Sequence, residues 1–171
     1  STATVRQLIR ASDNATLREL VPRVHDIAKG AALMTGTTVT TKVYSGVSNL
    51  VGNLPLEQAM QAEFDKLGPV PFEKEDEAFA EEIRKTLTTE DIAASFQRAG
   101  RQTPPELPLC DFVAPLDRPS HGGEGSTDVG DVSWVTPTVQ ARVATCAVGT
   151  PFHTWQTVAQ GKAPAAHKGM V

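Results

Sequence analysis

Two aspartates and a histidine carry most of the chemistry open to this sequence. Asp128 and Asp131 lie in the run GSTDVGDVSW, and His153 follows a Gly149-Thr150-Pro151 bend further along. A Thr-Asp-Val-Gly-Asp turn can aim a carboxylate and several backbone N–H groups into a cleft. It can equally be an Asx turn in which Asp128 bonds its own backbone. The i, i+3 spacing of the two carboxylates is too short for a pair flanking a glycosidic bond from different elements. An imidazole just beyond a strand end suits a metal ligand, an acid–base group or a packed core side chain. One histidine does not make a zinc site, which takes three or four protein ligands. His25 and His167 have no chemically able neighbours in sequence and read as structural, while His121, beside glycines, reads as solvent-facing.

Two other chemistries drop out. Ser126 sits in no Gly-x-Ser-x-Gly elbow, so a serine hydrolase is not indicated. The HGGEG run (residues 121–125) has neither the spacing nor the Lys-Ser/Thr ending of a phosphate loop.

Composition narrows the partners. A chain of 171 residues that is 40% hydrophobic and 21% charged falls in the soluble globular range. A net charge of −4 and 5% aromatics argue against a nucleic-acid partner, which wants a basic face or stacking rings. No apolar run approaches the length of a membrane span. Cys110 and Cys146 follow no metal spacing and read as two reduced thiols. With no signal-peptide pattern in view, a cytoplasmic location is expected.

The elements that must position the histidine and the aspartates read as alternating strands and helices. Residues 2–11 and 38–47 are expected as strands; in the second, Val39, Thr41, Val43 and Val47 alternate with Thr40, Lys42 and Tyr44. Between them a long helix running to Thr35 puts Leu17, Leu20, Val24, Ile27, Ala28 and Ala31 on one face. The Ser12-Asp13-Asn14 cluster stands where an N-cap is wanted, Thr16 and Glu19 could form a capping box, and Gly36 suits the C′ position. Pro22, inside the helix, should bend it. A break at residues 48–54 is a domain boundary, and Asn53 caps the helix that follows to Leu67 with Leu56, Ala59, Met60, Phe64 and Leu67 inward. A charged helix spans residues 74–87 with Phe79, Ile83 and Leu87 inward, and its acidic run at 73–82 reads as a solvated face. Thr88 or Thr89 caps a short helix ending near Gly100. Residues 102–125 are proline-rich loop around a short strand at 109–113, and residues 139–148 form the strand leading to His153. The chain begins without Met in what reads as a strand and ends in what reads as a first helical turn, so part of a longer protein is expected.

The wording GSTDVGDVSWVTPT…ATCAVGTPFHTWQ, with LIRA, IAKGAALMTGT and GVSNLVGN earlier in the chain, resembles the dinuclear-metal aminoacylase and carboxypeptidase family, in its aminobenzoyl-glutamate hydrolase branch. The likeness runs in order along essentially the whole chain. It implies an α/β fold: the C-terminal segment of a zinc-peptidase-like catalytic domain (51–171) and the second half of an α+β, ferredoxin-like lid or dimerisation domain (1–50). The implied activity is metal-dependent cleavage of the amide of an N-acyl or aminobenzoyl amino acid, with two divalent ions, zinc or manganese, activating water. Through the resemblance His153 matches the last metal-ligand histidine, and Ser126, Thr127 and Asp128 match a turn lining the substrate pocket. Arg10 matches an arginine near the substrate carboxylate or the dimer interface, and Asn49 or Asn53 would stand at the hinge. The family's other metal ligands and its general base would precede residue 1, so the isolated segment is expected to be inactive. A homodimer is implied, or completion by a second polypeptide. The competing expectation is a non-catalytic binding or dimerisation module of the same fold.

Overall fold

A computed structural model describes residues 1–99, 107–116 and 125–171. The described residues form seven helices: α1 (Asn14–Thr35), α2 (Leu54–Leu67), α3 (Lys74–Arg84), α4 (Thr89–Arg98), α5 (Val129–Ser133), α6 (Trp155–Gln160) and α7 (Pro164–Lys168). They divide into two compact units: Ser1–Gly52 with residues 125–138, and residues 53–99, 107–116 and 139–171.

In the first unit α1 begins where a capping residue permits. The Asp13 carboxylate accepts the Thr16 N–H at 2.8 Å, so the cap is Asp13 rather than a box between Thr16 and Glu19. Gly36, at φ 62°, ends the helix, and the Thr37 N–H returns to the Ala32 carbonyl at 3.0 Å. The helix runs through Pro22, whose ring nitrogen cannot donate to the Arg18 carbonyl. Its apolar stripe is only half covered: Leu17, Leu20 and Val24 are partly buried, Ile27 is 70% exposed, and no residue of α1 is fully buried.

The second unit holds the core. Ala80 and Ile83 of α3 pack with Leu109, Ala147 and Ala165, with Phe72 against them, and Phe96 of α4 is 1% exposed. Asn53 accepts the Leu56 N–H at 3.1 Å while Glu57 accepts the Asn53 N–H at 3.1 Å, which starts α2. Thr88 caps α4 by accepting the Asp91 N–H at 3.1 Å. Here α3 stops at Arg84, short of Leu87, and Phe79 is 40% exposed. The acidic run is not wholly solvated. Asp76 is buried, its Oδ2 accepting the Glu73 N–H at 2.9 Å and Lys168 Nζ at 2.6 Å, and the Lys168 hydrogen bond holds its carboxyl below the usual range.

The α/β expectation is not met among the described residues, which contain no strand. Residues 2–11, 38–47, 109–113 and 139–148 alternate or cluster as strands do, but a strand exists only when a neighbour completes its hydrogen-bond ladder. Residues 37–46 are exposed throughout, and Lys42 lies over the Tyr44 ring at 5.0 Å, the same-side spacing that the alternation gave. At 108 and 148 a single bond forms, Val148 N–H to the Pro108 carbonyl at 2.9 Å, which is one rung and no ladder. Residues 129–133, which lead out of the aspartate turn, and residues 155–160 form the short helices α5 and α6. His121 and much of the proline-rich loop lie outside the described residues.

Candidate functional site

His153 is placed by a turn whose every backbone change of direction is tied down. Gly149, at φ 97°, lies so close to Ile92 that a β-carbon there would come within 2.7 Å of its side chain, so the bend needs glycine. The Thr150 hydroxyl donates to the Ala147 carbonyl at 2.7 Å. Beneath it the carboxamide of Gln160, 3% exposed, uses both ends. Its oxygen accepts the Ala147 N–H at 2.7 Å, and its nitrogen donates to Thr150 Oγ1 and to the Gln156 carbonyl, each at 3.0 Å. Beyond the bend the Pro151 carbonyl accepts two hydroxyls, Thr154 at 2.7 Å and Thr157 at 2.8 Å, the first turn of α6 thus gripping the loop.

On this held turn His153 has φ 64°, and it is the non-glycine residue of the described chain with positive φ. Histidine tolerates the left-handed region better than most residues, yet strain of this kind persists where the surroundings over-determine it and concentrates at functional positions. The imidazole is exposed and makes no hydrogen bond with the described residues. It is neither a packed core histidine nor committed to a structural partner, which leaves both ring nitrogens available to a ligand.

The aspartate turn lies in the first unit. Ser126 and Asp128 are exposed and Thr127 is half-buried. Asp128 makes no capping bond to α5; Thr127 Oγ1 accepts the Val129 N–H instead, at 3.3 Å. The Asx-turn reading of Asp128 therefore gives way to a threonine turn, and the Asp128 carboxylate points free of its own backbone. Asp131 behaves differently. Its carboxylate accepts the Ser48 N–H at 2.8 Å, and hydrogen bonding from Ser48 holds it below the usual carboxylate range. Arg10 is exposed, ahead of the Asp13 cap. Asn49 takes part in the same loop as Ser48, whereas Asn53 is committed to capping α2.

As a metal centre the described residues do not suffice: no three of their His, Cys, Asp or Glu side chains gather around one point. His153 fits the part of one donor and no more. Gln160 and the Asp76–Lys168 pair were not foreseen in the sequence. A buried glutamine has no local signature, and Lys168 is too far along the chain from Asp76 to suggest pairing.

Over 179 aligned residues the chain is 40% identical to a subunit of the p-aminobenzoyl-glutamate hydrolase of Escherichia coli (strain K12), an alignment that takes in 99% of this chain. The chain is similar to a C-terminal portion of that hydrolase polypeptide. It spans 37% of that relative's length. No family model matches the chain, and no solved structure matches it. The described helices are none of them long and apolar enough to cross a membrane.

Proposed function

We propose that this chain is part of a hydrolase that cleaves the amide of an N-acyl or aminobenzoyl amino acid, with glutamate as the favoured amino acid. What supports the reading most is the 40% identity to the Escherichia coli hydrolase polypeptide across 99% of the chain. Within that role His153 serves as one donor to a pair of divalent ions, zinc or manganese, the other donors lying outside the described residues. Its exposed, unengaged imidazole and strained backbone support this. Ser126, Thr127 and Asp128 meet the substrate, the uncommitted Asp128 carboxylate being the side chain most able to take a polar group. Arg10 suits a carboxylate, which a guanidinium can grip with two bonds. Residues 1–50 act as half of a lid or dimerisation domain. The relative is named as one subunit of its enzyme, and we extend that to this chain as a requirement for a second polypeptide, alongside self-association as a homodimer.

The test uses hydrolysis of p-aminobenzoyl-glutamate and metal content together. The 171-residue chain alone should be inactive. In the active assembly that contains it, His153→Ala should abolish hydrolysis and lower bound metal per protein. Full activity with unchanged metal would remove His153 from the site. Hydrolysis by the isolated chain would overturn the need for further donors.

A further inference from the structure

We infer that Asp131 is a positioning residue that fixes the turn at 126–128 by latching it to the loop at 48–51. The inference rests on the reading above that this turn meets the substrate. The two aspartates of one short motif do different work: Asp128 is left open, and Asp131 is spent on structure.

The latch consists of side chains of one segment closing on the backbone of another. Asp131 Oδ1 accepts the Ser48 N–H at 2.8 Å, and Ser133 Oγ accepts the Val51 N–H at 2.9 Å. Trp134 Nε1 donates to the Asn49 carbonyl at 2.9 Å. Three backbone groups within residues 48–51 are thus paired by side chains from residues 131–134, and each bond spans more than eighty residues of sequence. Ser133 also donates to the Gly130 carbonyl at 2.6 Å, which orients its oxygen to receive Val51. On the far side the Asn49 side chain accepts the Asn14 N–H at 3.3 Å, carrying the connection to the start of α1.

Gly130 explains why the two backbones can close. It is buried, and a β-carbon on it would collide with the Ser48 carbonyl oxygen. Such close backbone approach needs glycine. The first unit buries no apolar side chain completely among the described residues, so no core holds this turn in place and the hydrogen bonds must do so. Asp128, one turn ahead of Asp131, inherits its position from the latch.

The experiment uses the active assembly with p-aminobenzoyl-glutamate and compares Asp131→Ala, Asp131→Asn and Asp128→Ala. Asn keeps an oxygen for the Ser48 N–H; Ala does not. In Asp131→Ala, hydrogen exchange at the Ser48 amide should quicken about tenfold, the weight of one lost hydrogen bond. KM should rise about as much with kcat little changed, since a displaced turn weakens binding more than chemistry. Asp131→Asn should return both readouts to within about twofold of wild type. Ser133→Ala, which leaves Asp131 in place, should move KM the same way by less. Unchanged Ser48 exchange in Asp131→Ala would overturn the latch itself. Faster exchange with unchanged KM, or no recovery in Asp131→Asn, would overturn the positioning role. Asp128→Ala separates the two readings: if it too leaves KM unmoved, the substrate assignment of the turn has failed, whereas the exchange result still judges the latch.

Discussion

The first unit, Ser1–Gly52 with residues 125–138, and the second unit hold their chemically able turns by different means. The fully buried apolar side chains among the described residues, Phe96, Ile83 and Leu109 with four alanines, belong to the second unit. There His153 sits on a turn backed by a small core and a buried glutamine. In the first unit Leu8 is 91% exposed, Leu33 and Met34 are each 84% exposed, and the turn before Asp131 depends on hydrogen bonds to a loop. A hydrogen bond contributes about 1 kcal/mol net, whereas a buried Phe or Leu contributes about 1.5–3 kcal/mol through area alone. The lesson is that polar pairing can give a turn its direction where little apolar burial supports it, at the cost of local stability.

Four measurements would break or sharpen that contrast. The largest effect is expected at Phe96→Ala, which should cost about 3–5 kcal/mol in urea unfolding followed by circular dichroism. A cost below about 1 kcal/mol would mean the second unit's core is not what holds it. Next comes Asp76→Asn, which should lose about 1–3 kcal/mol at neutral pH by leaving a weaker partner for Lys168 and the Glu73 N–H. The pH dependence has a definite sign. Lys168 depresses the folded Asp76 pKa, so this stability is complete above the ordinary carboxylate range and lost as pH falls through the depressed value. Asp76 in turn raises Lys168, whose contribution is lost only as strongly alkaline pH passes its raised value. Wild-type unfolding midpoints should therefore be level from about pH 5 to 9 and fall below about pH 4, and Asp76→Asn should flatten the acid limb. An acid limb of equal depth in the variant would assign it to other carboxylates.

A smaller effect separates stability from function. His153→Gly relieves a positive φ and should hold or raise stability by up to about 1 kcal/mol while removing hydrolysis in the active assembly. A clear loss of stability would show that the imidazole has a structural partner. Smallest of all, Leu33→Ala on the exposed face of α1 should change stability by less than about 0.5 kcal/mol. A cost near that of Phe96→Ala would show that α1 is packed in solution.

What could be read in the sequence was what is local. The Asp13 and Asn53 caps, Thr88, Gly36 and helices α1 to α4 follow from interactions within one or two turns, and their residues announce them. The strands could not be settled, because alternation in residues 38–47 states a preference that only a pairing neighbour can complete. The same non-locality hid Asp76 with Lys168 and Asp131 with Ser48, pairs whose members carry no mark of each other. His153 was singled out from its place after Gly149-Thr150-Pro151, and its exposure and positive φ came only with the fold. The Asx-turn alternative for Asp128 gave way for a small reason: Thr127, the residue before it, took the turn bond.

The buried amide of Gln160 has one more consequence. A carboxamide has no proton to gain or lose across the working range of a protein, whereas a carboxylate such as Asp131 does. Mild acid should therefore reach the two fastenings unequally: the bond from the Ser48 amide loses the charge on its acceptor and weakens, while the amide that braces the bend under the histidine is the same on either side of the change.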